Sequence, residues 1–80
     1  MGRASFDPKE FGVDLSKPEF MDQMVDEFNA AYRDQWTIDE LLLRPREALR
    51  FCDSVRGRFG YFDVPDDIIL RAIMQRRKNP

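Results

Sequence analysis

The sequence predicts an all-α fold: a small four-helix orthogonal bundle with one long N-terminal helix, one short helix and two C-terminal helices. Three observations predict it. Two capping boxes, Ser16-Lys17-Pro18-Glu19 and Thr37-Ile38-Asp39-Glu40, stand directly before apolar runs. In such a box the hydroxyl accepts from the amide three residues on, and the Glu reaches back to the amide of the Ser or Thr. Apolar residues also recur every three to four positions from Phe20 to Trp36, which is the period of one helix face. Finally, Pro45, Gly57 and Gly60 fall where the later apolar runs begin or end, as helix punctuation does.

Residues 1–15 carry Gly2, Pro8 and Gly12 with scattered Phe6, Phe11, Val13 and Leu15. They read as an N-terminal arm, partly disordered, mobile at its start and docked from Phe11 onward. Residues 16–80 read as a single helical domain. The first helix is expected over 17–34. Pro18 sits in its first turn, where a missing N–H does no harm. Leu15 and Phe20 have the spacing of a hydrophobic staple. Phe20, Met21, Met24, Val25, Phe28, Tyr32 and Trp36 form its apolar stripe, and Asp22, Asp26, Glu27 and Arg33 lie away from the centre of that stripe.

The second helix, expected over 38–43, must be short, because Pro45 bars the helical region to Arg44. Pro45 then opens a third helix over 45–58, whose apolar side is Ala48, Leu49, Phe51, Cys52, Val55 and Phe59. Arg46, Arg50 and Asp53 run down another face at i, i+4 and i+7, so Asp53 is expected to pair with one of the two arginines at a time. The fourth helix is expected over 64–78, with Asp63 as its capping acceptor and Pro65 in its first turn. It holds Asp66 and Asp67 at its start and Arg76, Arg77 and Lys78 at its end, which suits the helix macrodipole. It is apolar almost all round, as a central core helix is.

The segment between the last two helices interleaves Arg, Gly and aromatics: Arg56-Gly57-Arg58-Phe59-Gly60-Tyr61-Phe62. A base-stacking strand of one RNA-binding fold has a similar composition. That strand needs a sheet around it, and here both flanks read as helices. An Arg also intrudes between Gly57 and Phe59. The segment is therefore expected to be a helix–helix connection, with Phe59, Tyr61 and Phe62 folding back onto the core.

Composition bounds the chemistry. The chain has 80 residues, one Cys and no His. An internal disulfide is ruled out, and so are zinc and haem sites of ordinary ligand type. Cys52 has no His to activate it as a nucleophile. Asp63, Asp66 and Asp67 are explained by capping without a metal. No phosphate-binding loop, dinucleotide fingerprint or Ser-His-Asp set is present. The expectation is a protein that is not an enzyme and carries no cofactor. No apolar run approaches a membrane span, which needs about 18 residues. The single Cys and the absence of an apolar leader lead to an expectation of a cytoplasmic setting.

Charge points to the candidate surface. Residues 1–40 hold ten acids against four bases, net −6, and residues 41–80 hold five acids against nine bases, net +4. Ten of the 13 bases are Arg, the fork-shaped donor for carboxylates and phosphates. The candidate interaction surface is Arg44, Arg46 and Arg50 of the third helix together with Arg71, Arg76, Arg77 and Lys78 of the fourth. The expected function is a protein-interaction or regulatory module that binds a protein partner or self-associates. The alternative is nucleic-acid binding through the Arg-rich C-terminal half. A helix-turn-helix reading fits poorly, because the end that would enter the groove carries Asp63, Asp66 and Asp67.

Overall fold

Both capping boxes form as the sequence spells them. Ser16 Oγ accepts from the Glu19 amide at 3.3 Å, and Glu19 Oε1 accepts from the Ser16 amide at 3.0 Å. The bond from the Ser16 amide, and after it the Ser16 hydroxyl, draw the Glu19 carboxyl below its ordinary value. At the second box the Thr37 and Glu40 bonds measure 3.2 and 3.1 Å. The computed structural model describes residues 6–32 and 35–78, the last two by their backbone only. In it α1 spans Lys17–Tyr32, α2 Ile38–Leu42, α3 Pro45–Phe59 and α4 Asp66–Lys78. Arg33 and Asp34, the expected last residues of the first helix, lie outside the described residues. No strand occurs among the described residues.

The four helices make a small bundle. α1 packs most extensively on α4, α2 packs on α3, and α3 also meets α1 and α4. The core gathers Phe20, Met24, Phe28 and Tyr32 of α1, Ile38 and Leu41 of α2, Ala48, Phe51, Cys52 and Val55 of α3, and Ile68, Ile69, Ala72 and Ile73 of α4. Ring contacts run through it. Phe28 meets Phe51 edge-on at 6.1 Å, and Tyr32 lies 5.6 Å from Phe28 and 5.7 Å from Phe51.

The arm docks earlier than Phe11. Phe6 and Pro8 are buried, and the Phe6 ring meets Phe20 edge-on at 6.0 Å under Lys17 Nζ. Asp7 caps a 3-10 turn, Pro8–Phe11, by accepting from the Lys9 amide at 3.1 Å. Gly12, at φ 81°, ends that turn in the left-handed region and delivers Val13 to the core, a conformation Gly reaches without a Cβ penalty.

Three details of the second half differ from expectation. α3 runs on to Phe59, one residue past the expected end, with Gly57 inside it, and Gly60 at φ 74°, one of the two expected stops, ends it. α4 begins at Asp66, two residues late. Val64 precedes a proline, which disfavours the helical region for it, and the chain enters the helix only after Pro65. The Pro65 carbonyl, not the Asp63 carboxylate, accepts the first amides, from Ile68 at 3.2 Å and Ile69 at 3.4 Å. Asp63 makes no capping bond among the described residues. Last, Phe59 and Tyr61 do fold back on the core, but Phe62 is 74% exposed, and Leu49, assigned to the apolar side of α3, is 49% exposed.

Candidate interaction surface

The α2–α3 corner is built by Pro45. It forces Arg44 out of the helical region, to φ −121° and ψ 81°, so α2 stops and α3 starts within three residues. The bend leaves Leu42 and Leu43 at its outer edge, with Leu43 81% exposed. Arg44 lies at the bend, and its guanidinium sits 4.6 Å from the centre of the Trp36 ring. Trp36 is in turn stacked on Tyr32 at 5.1 Å. Cation–π contact of this kind holds a guanidinium in place without neutralising it.

The next turn of α3 carries Arg46, Leu49, Arg50 and Asp53 on one face, all exposed. The expected pairing of Asp53 with Arg46 or Arg50 does not form. Asp53 Oδ1 is taken by Arg56 Nη2 at 2.6 Å. Arg44, Arg46 and Arg50 make no ion pair among the described residues. The acid beside them, Glu47, is half-buried and accepts from the Tyr32 hydroxyl at 3.4 Å. Burial, and after it the Glu47 charge, push the Tyr32 hydroxyl above its ordinary value. Trp36, Arg44, Pro45, Arg46 and Glu47 together line an open recess of about 410 Å³.

The α4 members of the expected surface have different surroundings. Arg71 reaches Asp67 one turn back at 3.7 Å, and Arg76 Nε meets Asp22 of α1 at 2.6 Å. Arg76 borders a second recess, which Arg44, Arg46 and Arg50 do not line. The side chains of Arg77 and Lys78 lie outside the described residues. Arg44 and Arg46 share one recess, with Arg50 one turn further along α3, while Arg71 and Arg76 pair with acids.

That second recess, which sequence reasoning missed, measures about 460 Å³ and lies between α1, α2 and α4. Val25, Phe28, Ile38 and Ile73 give it apolar walls, with Asn29, Thr37 and Arg76 at its polar points. Two of those points are already engaged, Arg76 with Asp22 and Thr37 with the Glu40 amide. Its walls were legible only as core positions, since a gap between three helices leaves no trace in periodicity.

The reactive groups of the chain are held apart. Cys52 is fully buried, and burial, aided by the Asp66 charge, pushes its thiol up to about 12. A thiol so placed is not a thiolate nucleophile near neutral pH. The three aspartates around the start of α4 do not converge. Asp66 pairs with Arg56 at 2.6 Å, Asp67 faces Arg71, and Asp63 stands apart. No family model, no curated protein and no solved structure matches this chain, so the α2–α3 corner is interpreted from its own geometry.

Proposed function

We propose that this chain is a protein-binding module without catalytic activity, acting in a cytoplasmic setting, and that its docking face is the α2–α3 corner. One observation carries the reading. Leu43, Leu49 and the half-exposed Leu42 stand in solvent among three guanidinium groups that no carboxylate of the described chain neutralises. Single exposed leucines are ordinary. Arginine is among the residue types enriched at binding hot spots, and here the exposed leucines add apolar area beside it. Covering one leucine fully contributes about 1.5–3 kcal/mol to docking.

The same arginines support a second reading, phosphate binding to nucleic acid. Two features favour protein over nucleic acid. The exposed leucines gain nothing from a phosphate backbone, and Arg71 and Arg76 already face Asp67 and Asp22.

The test is a double charge reversal, Arg46→Glu with Arg50→Glu, compared with the parent chain by pull-down and circular dichroism. The expected result is an unchanged helical spectrum with loss of captured partners. Partners unchanged in identity and amount would overturn the assignment of this face. A parallel titration with duplex and single-stranded DNA and RNA at low and high salt decides the second reading, because phosphate contacts weaken steeply with salt.

A further inference from the structure

The chemistry of the face narrows its occupant. Arg46 and Arg50 are one helical turn apart with Leu49 between them on the same exposed face. Side chains at that spacing sit about 5–6 Å apart at their Cβ atoms. Two carboxylates one turn apart on a facing helix have the same separation. A guanidinium takes a carboxylate through two parallel N–H bonds, which a phosphate also offers. Leu49 and Leu43 favour the carboxylate, since an apolar side chain on the same partner helix would remove their exposed area from water. Arg44 adds a third cation that is already oriented by Trp36, so little side-chain freedom remains to be lost on binding. The local charge is positive, with three guanidinium groups against the one carboxylate of Glu47, since Asp53 is turned toward Arg56.

We infer that the α2–α3 corner receives an acidic amphipathic helix, with carboxylates at i and i+4 facing Arg46 and Arg50 and an apolar side chain seated on Leu49 and Leu43. This rests on the protein-binding reading and names the partner's chemistry. The face is an open, charge-matched strip beside the recess at Trp36, so the contact is small and belongs with weak, transient interactions.

Trp36 is the only tryptophan of the chain and lies under Arg44, so its emission reports the contact directly. The experiment titrates the full chain with three synthetic helical peptides. One carries Glu at i and i+4 with Leu between them. The second replaces those Leu by Ser, and the third replaces the Glu by Lys. A short RNA duplex serves as the phosphate probe. The first peptide is expected to bind with a change in Trp36 emission that weakens as salt rises. Arg46→Glu with Arg50→Glu is expected to weaken it about tenfold or more, and Leu49→Ser severalfold, with the helical spectrum retained. The single variant Arg50→Gln, which removes one charge without reversing it, gives a second reading of the same contact should the double variant unfold.

Equal binding of the Ser-substituted peptide would overturn the apolar half of the inference. Tighter binding of the RNA duplex, or no binding of the first peptide at low salt, would overturn the whole. Should the peptide fail while the double charge reversal still removes captured partners, the docking face stands and its partner chemistry is wrong. Should both fail, the protein-binding reading falls with it.

Discussion

On the inner side of α3, Ala48, Phe51, Cys52 and Val55 are closed off by rings and backbone, Phe51 against Phe28 and Tyr32, and the Cys52 Sγ–H against the Asp66 carbonyl at 3.8 Å. On its outer side, Arg46, Leu49, Arg50 and Asp53 stand in water. The inner set follows from folding alone, since each of its members fills core volume. The outer set does not. The fold would keep its helix with almost any polar residue at 46, 49 and 50. Leu49 stands there between two arginines that make no ion pair among the described residues, and no packing inside the chain accounts for it.

The contrast breaks most readily at Phe51 and Leu49. Phe51→Ala should destabilise the protein by about 3–5 kcal/mol, because it empties a packed site, whereas Leu49→Ala should cost less than about 1 kcal/mol. Urea unfolding measures both, and comparable losses would make the outer face structural. A smaller effect sharpens the comparison between arginines. Arg56 is 17% exposed and is held by Asp53, Asp66 and the Val64 carbonyl at 3.0 Å. Its replacement by Ala should cost about 2 kcal/mol, below the range for a fully buried pair because both acids remain substantially in water. Arg50→Ala should stay within about 0.5 kcal/mol by the same measurement. The smallest effect concerns the helix starts. Thr37→Ala removes a formed cap and should cost about 1 kcal/mol. Asp63→Ala removes none and should fall within about 0.5 kcal/mol. Equal losses at the two positions would mean that Asp63 caps α4 in solution.

Legibility in the sequence follows the range of the interaction. The two capping boxes, the Pro45 corner and the Phe20–Tyr32 stripe depend on neighbours within a turn, and the structure reproduces them. Asp63 and Pro65 were also local, but two rules competed. The capping pattern places the start at Val64, while the proline after Val64 disfavours it, and the helix starts at Asp66, although α1 starts at Lys17 directly before Pro18. Arg76 depends on which acid the fold brings near, whereas Arg71–Asp67 and Asp53–Arg56 are pairs within one helix. For Arg76 that acid is Asp22 on α1, which periodicity cannot pair with it. Arg46 and Arg50 were legible as a face and not as unpaired, because their state turns on Asp53 choosing Arg56.

The Arg56 latch bears on the order in which the bundle closes. Its bonds reach back three residues to Asp53 and forward eight to Val64. The bond that ties α1 to the same loop, from the Tyr61 hydroxyl to Gln23 Oε1 at 2.6 Å, spans 38 residues. Loop-closure entropy grows with the logarithm of loop length, so the longer closure is harder by about 1.4 kcal/mol. Contacts between near neighbours along a chain also form sooner than distant ones. α3 and α4 are thus joined over short loops by a guanidinium acting as a staple, a closure that costs less chain entropy than the one that ties in α1.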